Sequence, residues 1–144
     1  MTSLSTNVPK VHVEYTDLKG TLSQFISTKV LLSSIELEEF RNRIKSEIAS
    51  KNGVFRRFDG LGKAKDDLFN DITEFWILFA KFERSQKLDT SNVVRVFEDA
   101  LEETSPVSKS GQIYVSYASY HFDRNELSDA QAICIRGVTK SGVY

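Results

Sequence analysis

The chain has 144 residues, 40% hydrophobic and 27% charged, with a formal net charge of -1; this fits one domain that buries its core without staples and excludes a whole-molecule polyanion binder. A single cysteine, Cys134, excludes an internal disulfide and fits a reducing compartment. No apolar run is long enough to span a bilayer, and the polar stretch Met1–Pro9 carries no signal-peptide core, so the expected setting is intracellular, nuclear or cytoplasmic, with no membrane partner.

Residues 1–10 are rich in Ser and Thr and read as a flexible tail; residues 11–144 read as a single helical domain. Val11-His12-Val13-Glu14-Tyr15 alternates briefly, as a short strand or an extended lead-in does. A helix is predicted from about Thr16, with Asp17 in its first turn. Leu18, Leu22, Phe25, Ile26 and Lys29 follow at helical spacing, against the unfavourable propensity of Gly20. Ser33 and Glu36 fit a capping box. Leu37, Phe40, Ile44 and Ile48 then make a core stripe, with Glu38, Glu39, Arg41, Arg43 and Lys45 turned to water. Asn52-Gly53 is a stop signal, and a connector rich in Gly and basic residues runs from Val54 to Lys65. Residues 11–65 thus hold the N-terminal helices and the connector.

The next helix is predicted from about Asp66 to Arg84, with Asp66 and Asp67 at the end where the helix dipole favours negative charge. Leu68, Ile72, Phe75, Trp76, Phe79 and Phe82 give it an apolar face wide enough for burial on more than one side. Asp89-Thr90-Ser91-Asn92 supplies cap candidates for a partner helix that turns Val93, Val96, Phe97, Ala100 and Leu101 inward, so residues 66–102 form a first hairpin. Pro106 breaks the chain and Gly111 marks a turn. Residues 107–138 are read as a second hairpin. Ile113–Tyr120 is rich in β-formers, which makes an α+β fold with a C-terminal β-hairpin the alternative. Leu127-Ser128-Asp129 leads into the last helix, with Ser128 or Asp129 near its cap, and Gly142 permits a stop or a strand turn.

Helix is favoured for the second hairpin because it repeats the first. Trp76 maps onto Tyr114, Phe79 onto Tyr117, Ala80 onto Ala118 and Phe82 onto Tyr120, at an offset of 38 residues. Val93 maps onto Ala130 and Leu101 onto Val138, at an offset of 37. A period in this range is the signature of stacked helical units, which offer a surface for partners rather than a pocket for chemistry. Trp76, Phe79-Ala80 and Phe82-Glu83 in the first helix, with Val93, Val96, Phe97, Glu98 and Ala100-Leu101 in the second, resemble the half-a-TPR (HAT) repeat family. The second copy departs from that pattern at His121, Cys134, Ile135 and Gly137. The resemblance covers roughly the C-terminal half of the chain. It implies an all-α fold of antiparallel helical hairpins stacked as a short TPR/HAT-like array. HAT-repeat proteins occur largely in RNA-processing assemblies, where they hold other proteins, so it also implies a scaffold in such a setting.

No catalytic, cofactor or metal motif stands out. His12 and His121 lack partners at metal-ligand spacing, and His121 reads as a rim residue. Cys134 reads as a small buried hydrophobe. Asp123–Asp129 begins like a calcium loop, but Ser128 stands at its sixth position and Cys134 at its twelfth. Gly60-Leu61-Gly62-Lys63 resembles the end of a phosphate loop, yet Arg57 and Ala64 break the motif. Glu98, Asp99, Glu102 and Glu103 read as a solvated helix face. One patch survives as a candidate nucleic-acid contact: Arg56, Arg57, Lys63 and Lys65, which with Lys51 surround Phe55 and Phe58 ahead of a helix start. The plain reading of the same patch is a solvated connector whose aromatics pack inward. The expected function is a non-enzymatic helical-repeat scaffold for protein–protein interaction or self-association. The alternative is an RNA-binding or nucleoprotein-like helical protein that uses the basic connector.

Overall fold

The computed structural model describes residues 17–60, 62–87 and 89–141. These residues form six α-helices and no strand: α1 Leu18–Thr28, α2 Ser34–Arg56, α3 Lys63–Ser85, α4 Thr90–Ala100, α5 Gly111–Asp123 and α6 Leu127–Ser141. The predicted tail at 1–10, the lead-in Val11–Tyr15 and the stop at Gly142 lie outside the described residues.

The helix starts follow the sequence signals closely. Asp17 is the N-cap of α1 rather than a first-turn residue, its side chain accepting from the Gly20 N–H. Ser33 and Glu36 form the full reciprocal capping box of α2. Asp89 caps α4 and Ser110 caps α5, so Gly111 opens a helix rather than only marking a turn. α6 begins at Leu127, ahead of Ser128 and Asp129, with the Ala130 N–H bonded to the Glu126 carbonyl. The tight turn before it is made by Asn125 in the left-handed region (φ 63), a conformation that Asn tolerates.

Two expectations about the helices, and the fold alternative, are overturned. α2 does not stop at Asn52-Gly53 but runs on to Arg56. A single interior glycine costs about 1 kcal/mol, and the last turn repays it by seating Phe55 against Phe69, ring centroids 6.2 Å apart. The connector therefore shortens to 57–62, and α3 starts at Lys63 instead of Asp66. Ile113–Tyr120 is helical throughout, which removes the α+β alternative. Ile113, Tyr114, Tyr117, Ala118, Tyr120 and His121 are all buried, a helical face whose tertiary packing outweighs the local β-preference. Cys134 is exposed, because α6 turns Ala130, Ile133 and Gly137, not Cys134, into the protein.

α3 is the hub. It packs on α1, α2, α4 and α5, while α5 packs on α4 and most extensively on α6. One continuous core runs from Leu22 through Phe40 and Ile44, then Phe75, Phe79 and Phe82, to Phe97, Tyr117 and Ile133. Phe25, Phe40 and Phe82 form an aromatic triad with centroids 5.2–6.1 Å apart, tying α1 and α2 to α3. The stripe Leu37, Phe40, Ile44 and Ile48 is buried as its spacing predicts. The paired positions also match: Trp76 and Tyr114, Phe79 and Tyr117, Ala80 and Ala118, and Phe82 and Tyr120 are all buried. The architecture is one of packed helical hairpins, α3–α4 and α5–α6, with α1 and α2 laid over α3. No helix among the described residues is long and apolar enough to cross a membrane.

Candidate functional site

A groove of about 280 Å³ lies where α3, α4 and α5 meet. Ala80, Val93, Phe97 and Tyr120 line it and are buried, giving an apolar floor. Its rim carries Ile77, Lys81 and Arg84 from α3 and Val115, Ser119 and Asp123 from α5. The spacing explains the geometry: these rim residues recur every three or four positions, one step around each helix from the core stripe. Val115 is 66% exposed. Arg84 spans the groove, its Nη1 3.4 Å from Asp123 Oδ2 and its guanidinium 5.2 Å from the centre of the Tyr120 ring. Arg124 lies over the same ring at 5.6 Å, and the Tyr120 hydroxyl shares a hydrogen bond with that of Thr90. The charged groups lining it are Lys81, Arg84 and Asp123. Such a site suits an apolar side chain followed by a carboxylate.

The second wall of the groove is fixed from behind by Glu98. Its side chain is 43% exposed, as a solvated helix face predicts, yet its carboxylate accepts from Arg136 at 2.8 and 3.2 Å and from the Tyr117 hydroxyl at 2.7 Å. Phe97 stacks on Tyr117 at 4.7 Å between centroids. The Arg136 hydrogen bonds hold the Glu98 carboxyl below its ordinary value, against the opposing effect of burial. Burial and the Glu98 carboxylate push the Tyr117 phenol up. These contacts join α4, α5 and α6 with one carboxylate.

A polar cleft beside the first half of α3 is lined by Lys19, Asp67, Asn70, Asp71, Glu74 and Gln112. Its charges are matched internally. Asp71 pairs with both Lys19 and Lys51, the latter at 2.7 Å, and Lys19 also reaches Glu74 at 2.5 Å. Burial alone would raise the Asp71 carboxyl, but the two ammonium groups together pull it below its usual value.

His121 is buried rather than at a rim, packed 5.4 Å from Tyr117 and 5.3 Å from Tyr120 between ring centres. Its Nδ1 lies 2.8 Å from Glu126 Oε1. With Asp129 these residues place ligand-type atoms within 4.8 Å of one another. Arg124 Nε sits 3.4 Å from the same Glu126 carboxylate. The cluster acts as a clamp on the α5–α6 turn.

The four basic connector residues flank the α2–α3 turn, and most have protein partners. Arg56 donates to the Thr104 carbonyl at 3.0 Å, Lys63 pairs with Asp67 at 2.9 Å, and Lys65 lies 4.9 Å from the Phe55 ring centre. Arg57 is the exposed C-cap of α2. Arg41, expected to face water, is instead half-buried and grips Glu83 with two bonds of 2.5 and 2.7 Å. The sequence signal for that pair was a glutamate inside an otherwise apolar stripe. The signal for the groove was Lys81 and Arg84 alternating with core aromatics. Set against protein-family models, curated proteins and solved structures, the chain matches none of them.

Proposed function

We propose that this protein is a non-catalytic helical scaffold that holds a partner protein, and that a partner segment docks in the groove between α3 and α5. The observation that carries this reading is the groove itself: an apolar floor, cations on one rim and helices on three sides. Helical-hairpin stacks present surfaces of this kind to extended or helical peptides. The resemblance to the HAT repeat adds an RNA-processing assembly as the setting. The basic connector supports RNA as a partner less well, since Arg56 and Lys63 already have protein acceptors and Asp59, Asp66 and Asp67 are interspersed.

The test is selection from a displayed peptide library with the immobilised full chain. The expected enrichment is an apolar residue near Asp or Glu, lost on Val115→Arg and weakened on Lys81→Glu. Equal enrichment on all three proteins, or none on any, sinks the groove as a docking site. Salt-sensitive RNA binding lost on changing Arg57 and Lys65 to Glu would instead favour the RNA reading.

A further inference from the structure

The repeat offset gives each residue on the covered face of α4 a counterpart on α6. Thr90, Phe97, Glu98 and Leu101 correspond to Leu127, Cys134, Ile135 and Val138. On α4 this face is used for stacking. The Thr90 hydroxyl meets that of Tyr120, Phe97 stacks on Tyr117, and Glu98 accepts from the Tyr117 hydroxyl. On α6 all four counterparts are exposed: Ile135 by 60%, Leu127 by 55%, Val138 by 44%, and Cys134 as well. They fall at i, i+7, i+8 and i+11, one stripe of a helix. The inward face of α6, carrying Ala130, Ile133 and Gly137, is separate from it. The α6 stripe therefore continues the α4–α5 stacking interface by one unit, with nothing among the described residues on it.

The chemistry of the stripe selects its occupant. Leu127 and Ile135 replace the two polar partners, Thr90 and Glu98, that satisfy tyrosine hydroxyls on α5. A helix of the α5 type would lose both hydrogen bonds there. The stripe, with Gln131 between its apolar residues, carries no charge, so it meets its own copy without like-charge repulsion. Pairing of identical patches about a two-fold axis also closes the assembly. We propose that a second copy of this chain packs α6 against α6 through Leu127, Cys134, Ile135 and Val138. One short helix per side places this contact at the low end of specific interfaces, so the dimer forms reversibly with concentration.

Sedimentation velocity of the full chain, from low- to high-micromolar concentration, tests this. A monomer–dimer equilibrium is expected. Ile135→Arg and Val138→Arg should each shift it to monomer with unchanged circular dichroism, because both positions are exposed. Ile35→Arg, at the apolar α1–α2 end, and Val115→Arg, in the groove, should leave it intact. A short bis-maleimide should join two copies through Cys134, and Cys134→Ser should abolish that product. Monomer at every concentration overturns the proposal. So does a dimer that survives both α6 variants, or one lost on Ile35→Arg. Assemblies growing beyond the dimer indicate head-to-tail stacking and also overturn it.

Discussion

Gln86 is a single buried side chain that closes a turn far from it in sequence. Its amide oxygen accepts from the Leu32 N–H at 2.9 Å and its Nε2 donates to the Val30 carbonyl at 3.0 Å. Both belong to the α1–α2 turn. Gln86→Ala leaves them without protein partners, and the expected loss is about 1–3 kcal/mol, read from the urea midpoint at unchanged slope. A change within a few tenths would show that water replaces the amide. Nothing local marks Gln86 as special, since a glutamine past a helix end reads as surface. The ion pair of Glu98 is hidden for a similar reason: its partners Tyr117 and Arg136 lie on two later helices. Its carboxyl titrates below its unfolded value, chiefly because of Arg136. The stabilisation is thus complete above about pH 4.3 and is lost as pH falls through the folded value. Asp71, Glu102 and Glu126 have the same sign, whereas Asp99, raised by burial, opposes them. Thermal stability should therefore fall on acidification below that point. Glu98→Gln should flatten the Tm–pH curve in this window, and an unaltered slope would count against the assignment.

At the scale of the helix, close approach between α5 and α6 depends on Gly137. A Cβ there would lie 2.9 Å from the Tyr114 Cβ and 3.0 Å from its Cγ. Both obstacles sit at the root of a buried side chain and have little room to yield. Gly137→Ala gains about 1 kcal/mol of helix propensity, but overpacking of this kind costs about 1–3 kcal/mol. The expected outcome is net destabilisation in chemical denaturation, although alanine stands at the aligned position, Ala100. A more stable variant would mean that α6 shifts freely. Helix existence was legible in the sequence: the Ser33–Glu36 box, the Asp89 cap and the Leu37–Ile48 stripe all held. Local signals failed where packing opposed them. Gly53 did not end α2, because Phe55 has a partner in Phe69. The β-formers of α5 became helix because their spacing buries one face.

Over the whole molecule, the alignment of the two hairpins matches burial at the positions facing inward. It failed for Cys134 and Val138, because burial there depends on what lies next along the stack rather than on the hairpin itself. The groove was hidden for a related reason. Its walls come from three helices, and the order of residues along the chain does not reveal how far apart α3 and α5 stand. Both surfaces follow from the same plan, in which each hairpin finishes its neighbour.

The central placement of α3 changes what kind of object this is. In a long solenoid each unit touches only its neighbours, and an end can fray while the rest persists. Here α1 and α2 share with both hairpins a single helix, on which Glu83 is only 2% exposed and held by Arg41 of α2. Peeling α2 away strands that carboxylate in an apolar setting, beside a bared Phe82. Opening at one end therefore removes the support of the other, and the six helices rise and fall as one cooperative unit.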